Sequence, residues 1–175
     1  SEAEEIRRRL EEISRRSVEH LRKVLEEIKR ISERSKRHLD RVLEENKRRL
    51  EELRELLERG RDKRELLEDL KRVHDESRKV IEKNKEENDR ALKRAKEVID
   101  ENRERNKRVL DEVRKGGLPE EVLRELEELL KESEERIKRI EEEIKKIIDK
   151  SREDIKRVLE EIERLNKKAA DDLRK

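Results

Sequence analysis

Apolar side chains recur along this chain in steps of three and four residues, the spacing that keeps them on one face of a helix. The first line runs Ile6, Leu10, Ile13, Ser17, His20, Val24, Ile28, Ile31, Ser35, His38, Val42 and Asn46. A second runs Leu66, Leu70, Val73, Ser77, Val80, Asn84, Asn88, Ala91, Ala95, Val98, Asn102, Asn106, Val109 and Val113. The third is Val122, Leu126, Leu129, Ser133, Ile137, Ile140, Ile144, Ile147, Ser151, Ile155, Val158, Ile162, Leu165 and Ala169. Flanking residues widen each line into a stripe: Leu21, Leu25, Leu39 and Leu43 beside the first, Leu92, Ile99 and Leu110 beside the second, and Leu130, Ile148 and Leu159 beside the third. No stretch keeps the two-residue alternation of a half-buried strand.

Two interruptions separate the three lines. Gly60 closes the run LEELRELLERG, and the pattern resumes at Asp62. Gly116-Gly117-Leu118-Pro119 is the second break: glycine ends a helix in the left-handed conformation, and proline suits the first turn of the next. Glu120 and Glu121 then set negative charge at that helix's positive end. The pattern predicts helices over 3–59, 62–115 and 119–173, each about 80 Å long. Short connections make successive helices antiparallel neighbours. The expected fold is all-α: a single elongated domain over 1–175, a long, nearly straight up-down-up antiparallel three-helix bundle.

Each helix also repeats itself. Residues 13–30 match 31–48, residues 79–95 match 97–113, and residues 131–148 match 149–166, always with a period of 18. Eighteen residues are about five turns of 3.6, so the apolar face returns to the same direction every 27 Å or so. A seven-residue repeat would impose a left-handed supercoil and an eleven-residue repeat a right-handed one; this period asks for neither.

Polar residues interrupt the apolar lines at repeating places. Pairing the first two helices at residue numbers that sum to about 122 sets His20 against Asn102, His38 against Asn84, Ser17 near Asn106 and Ser35 near Asn88. Pairing the second and third at a sum of about 235 brings Ser133 to Asn102 and Ser151 to Asn84. Two equivalent constellations are therefore expected: Ser17, His20, Asn102, Asn106 and Ser133, then Ser35, His38, Asn84, Asn88 and Ser151, with Ser14 and Ser32 on their margins. A partial third layer gathers Asn46, His74 and Ser77. Buried groups of this kind must find hydrogen-bond partners or cost about 1–3 kcal/mol each. When they do find partners, they penalise slipped registers that an all-leucine core would tolerate.

Composition sharpens this picture mainly by exclusion. Charged residues make up 59% of the 175, hydrophobic residues 29%, and aromatics none. Low hydrophobicity with many charges is also the signature of disorder. Here, however, 53 Lys and Arg offset 51 Asp and Glu, and only three Gly and one Pro occur, which is the composition of long helices. The absence of cysteine excludes disulfides, thiolate catalysis and cysteine-bound zinc. No run of 18 apolar residues is present to span a membrane, and the acidic start Ser1-Glu2-Ala3-Glu4-Glu5 is unlike a signal peptide. Near-balanced charge gives no overall pull toward nucleic acid or acidic lipid, and runs such as Arg103-Arg105-Lys107-Arg108 alternate with acids as solvated helix faces do. The histidines are too far apart along the helices to share a metal ion. Ser, His and Asn occur together without a buried carboxylate or a paired oxyanion donor, so no catalytic residues, no metal ligands and no cofactor are expected.

Near-duplicate 18-residue blocks, a Leu/Ile/Val core without aromatics, Ser/His/Asn layers and the GGLPEE connection together cover essentially the whole chain. In that combination the chain resembles computationally designed helical bundles with modular buried hydrogen-bond networks. Spectrin-like repeats are less similar, because their helices are much shorter and carry core tryptophan. The resemblance implies a structural scaffold rod with no natural biochemical function, no enzymatic activity and no required partner, soluble when made in a bacterial cytoplasm. Its alternative is an oligomerisation or helix-binding module, completed by an identical chain or a designed helical partner. Some members of the class use network histidines to respond to acid, which would assign such a role to His20 and His38.

Overall fold

The computed structural model describes all residues, 1–175. It contains three α-helices and no strand: α1 (Glu2–Glu58), α2 (Lys63–Lys115) and α3 (Glu120–Arg174). The ends fall where local chemistry can satisfy the orphaned backbone groups. Gly60 adopts a φ of 84°; its N–H donates to Leu57 O at 3.0 Å, and Arg61 N–H donates to Leu56 O at 3.1 Å. These are the paired bonds of a Schellman turn, which needs the left-handed conformation at that one residue. Asp62 then caps α2 by accepting from Arg64 N–H at 3.2 Å. At the second connection Gly117 takes a φ of 65°, and Pro119 O accepts the first α3 bond from Leu123 N–H at 3.0 Å.

The chain divides into two compact units. The first comprises Ser1–Arg30 and Ala91–Ile147, the second Ile31–Arg90 and Ile148–Lys175, so each unit holds a portion of all three helices. In the first, Leu10, Val113, Leu126 and Leu130 form a buried cluster beside the Gly116-Gly117 turn. In the second, Leu39, Ile81, Ile155 and Ile162 form one cluster, and Leu53, Leu66, Leu70 and Leu173 another near the Gly60 turn.

Burial follows the 18-residue period. On α3, Leu126, Ile144 and Ile162 are all buried, and so are Ile137 and Ile155; on α2 the same holds for Ile81 and Ile99. On α3 and along most of α2 the expected lines are buried or half-buried, whereas the stripe of α1 is centred differently and α2 departs at one place. On α1 the row Leu21, Leu25 and Leu39 lies at the centre, while Ile13, Val24, Ile31 and Val42 are only half-buried. On α2, Val80 is 40% exposed and its neighbour Ile81 takes the core position. At these places Leu21 and Leu25 take the interior over Val24, Leu39 over Val42 and Ile81 over Val80, in line with the larger apolar area that Leu and Ile bury.

Candidate functional site

The polar layers divide into one whose members are joined in an unbroken line of hydrogen bonds and others that are not. In the second unit, Ser77 Oγ donates to Asn46 Oδ1 at 3.3 Å, and Asn46 Nδ2 donates to Asn166 Oδ1 at 2.9 Å. Asn166 Nδ2 lies 2.8 Å from His74 Nδ1. An amide nitrogen only donates, so that ring nitrogen accepts and the imidazole proton sits on Nε2. One line of hydrogen bonds thus runs from α2 through α1 and α3 and back to α2. Asn46, Ser77 and Asn166 are buried and His74 is half-buried.

Asn166 is the member that the sequence reading missed. It stands 18 residues after Ile148 and 36 after Leu130, both buried, so the repeat alone points to an inward position. The line through Leu165 and Ala169 passed it by.

The second constellation is only partly joined. Asn88 Nδ2 donates to Ser151 Oγ at 2.6 Å, while Ser35 Oγ and Asn84 Nδ2 have no partner. This bond corrects the expected pairing of Ser151 with Asn84, placing α3 about one turn further along α2. Asp89 with Arg152 at 3.0 Å and Arg114 with Glu127 at 3.0 Å sit in the same shifted register. Four residues make little more than one helical turn, so both registers bring α2 polar side chains toward the α3 serines.

In the first unit, Ser17, Asn102, Asn106 and Ser133 are buried, but no hydrogen bond joins them: Ser17 Oγ, Asn102 Nδ2, both polar atoms of Asn106 and Ser133 Oγ are unpaired. His20 must be corrected outright. It is exposed and outside any network, because α1 turns its leucine row inward and carries position 20 out to the edge. His38 is half-buried at the equivalent edge and joins no layer. The acid response assigned to these two residues therefore loses its structural basis, since neither takes part in a buried hydrogen-bond network.

The unpaired groups make a direct prediction. Asn106 is buried with neither its donor nor its acceptor satisfied, so Asn106→Leu, which keeps similar volume, should stabilise the chain by about 1–3 kcal/mol. Urea denaturation checks it; a lower midpoint for the variant would mean that Asn106 is paired in solution.

Surface charge contributes little chemistry. Glu45 and Glu161 are held below the ordinary carboxylate range by hydrogen bonds from Arg48 and Arg164, three residues further along their own helices. Such exposed pairs are worth little in water. No group of three or more His, Cys, Asp or Glu side chains is placed to hold a metal ion, and no helix is long and apolar enough to cross a membrane.

With the geometry in hand, comparison with solved structures finds a likeness over 99% of this chain and 92% of the other, at a TM-score of 0.64 and 21% identity. That other protein is described as a computationally designed three helix bundle. The chain is a three-helix bundle. At this identity the likeness concerns the bundle's backbone, not its side chains. No family model and no curated protein sequence matches the bundle.

Proposed function

We propose that this chain is a designed structural scaffold without enzymatic activity, whose buried polar layer selects one arrangement of its helices. The observation that carries the reading is the hydrogen-bonded line Ser77–Asn46–Asn166–His74, which ties α1, α2 and α3 at a single level. The aliphatic stripes recur every three or four residues, so sliding one helix by about one turn sets apolar faces against apolar faces again at modest cost. The polar layer breaks that degeneracy. A shift would move Asn46 and Asn166 opposite aliphatic side chains and leave their amides unpaired, which is unfavourable by about 1–3 kcal/mol for each orphaned group. The balanced surface charge and the aromatic-free core support the same reading, since they offer no anchor for a small ligand.

The test replaces both asparagines with leucine. If the layer specifies the arrangement, Asn46→Leu with Asn166→Leu yields a helical chain with several sets of backbone amide resonances in place of one. A single set with native inter-helix contacts would show that the turns and the aliphatic core suffice, and would remove the layer's role.

A further inference from the structure

The groove between α1 and α2 carries features that the three-helix core does not use. In the register of the Asn46–Ser77 bond, Val42 stands level with Val80 and His38 with Asn84. Val80 is the one large aliphatic side chain that is exposed, and Val42 is half-buried. Beside them opens a cavity of about 880 Å³, lined by Val42, Asn46, Ser77 and Val80 and bridged by the Arg49–Glu76 ion pair. Asn84 Nδ2 is buried at this level without an acceptor. The other unit repeats the set by itself, with Val24 and Val98 half-buried, His20 exposed, and Asn102 Nδ2 buried and unpaired.

Charge indicates what would cover this groove. Where α3 meets α1, it offers acids to α1 cations: Glu125 lies 3.6 Å from Arg7 and Glu143 lies 3.8 Å from Lys29. The next acid at the same interval, Glu161, is influenced by Lys47. In the second unit, Arg34 and Arg41 stand seven residues apart on one face of α1, both exposed and neither in an ion pair. Glu44 and Glu45 line the cavity with Arg41, but Glu45 is engaged by Arg48.

We infer that the α1–α2 groove is a docking site for a helix from a separate chain, amphipathic and aliphatic on its buried face, acidic along the edge that meets α1. Such a helix covers Val42 and Val80 and neutralises Arg34 and Arg41. It repeats on the outer side of α1 the charge pattern by which α3 already docks. This goes beyond the scaffold reading, which stands whether or not the groove is filled.

The test uses the full chain and, as probe, a fluorescein-labelled synthetic peptide of residues 120–174, which has the required aliphatic stripe and acidic edge. Saturable anisotropy binding is expected. Val80→Glu, or Arg34→Glu with Arg41→Glu, should weaken it by about tenfold or more, and added salt should weaken it further. These positions are exposed or at the groove's rim, and unchanged circular dichroism establishes that the variants remain folded. The inference is overturned if the native chain does not bind the peptide, or if the variants bind it equally, since the peptide would then be replacing α3. Light scattering provides a third check: a native chain that pairs with itself and excludes the peptide makes the occupant a second copy, which also overturns it.

Discussion

Replacing Asn46 with aspartate should cost about 3–5 kcal/mol at neutral pH, among the largest effects available to a single substitution in this chain. Asn46 is 1% exposed, and both ends of its amide are engaged, the nitrogen by Asn166 Oδ1 and the oxygen by Ser77 Oγ. An aspartate sets an oxygen against the Asn166 oxygen and buries a negative charge beside Asn166 and Ser77, neither of which carries a compensating charge. Turning Asn166 over relieves the oxygen–oxygen contact only if His74 also moves its proton from Nε2 to Nδ1, and the charge remains buried. The new carboxyl should therefore have a folded pKa above its unfolded value of about 3.9. Because the folded form then binds the proton more tightly, the penalty is present at neutral pH, shrinks as pH falls through the folded pKa, and vanishes below the unfolded one. Glu45 and Glu161, held low by Arg48 and Arg164, lose those partners on acidification in both proteins alike. The quantity to follow is therefore the difference between variant and parent in urea melts from pH 7 to pH 4. A difference that does not narrow would mean that position 46 is hydrated and not buried.

Ile162→Ala should be comparably damaging, at about 2–5 kcal/mol, for an unrelated reason. Ile162 is 0% exposed and packs with Leu39, Ile81 and Ile155, so truncation removes apolar contacts from all three helices and leaves a void in their shared cluster. Val80→Ala is the matched control. It deletes aliphatic carbon from α2 at a position 40% exposed, and should cost less than about 1 kcal/mol. Denaturant midpoints of the two variants should differ several-fold in their displacement from the parent. Similar displacements would mean that Val80 is covered in solution, by a partner chain or by a different rotation of α2.

The three helices were legible in the amino-acid order almost to the residue. Their signals are local: steps of three and four, Gly60 and Gly117 in the left-handed conformation, and Asp62 as a cap. The buried layers were less legible. Three expected members, Asn46, Ser77 and His74, meet in one network, yet that network includes Asn166, and His20 lies at the surface. Periodicity shows that a helix has an apolar face about two residues wide, but not which row within that face is central. On α1 the choice lay between the row through His20 and His38 and the row through Leu21 and Leu39. It was settled by the larger leucines packing against two neighbouring helices at once.

The same division separates the whole sequence reading from the structure. Residue order alone determined helix length, the turns, the 18-residue period and the set of polar residues from which a layer could be built, because each depends on bonds and spacings within a few turns of one helix. Tertiary packing decided the rotation of α1 and α2 and the one-turn shift of α3 along α2. With them it decided that Ser77, Asn46, Asn166 and His74 join in a network while Ser17, Asn106 and Ser133 remain unpaired. A rotation of one residue position or a slide of one turn leaves every local helix signal unchanged. Only the fit of side chains between helices distinguishes these alternatives, and that fit exists only once the three stripes have met.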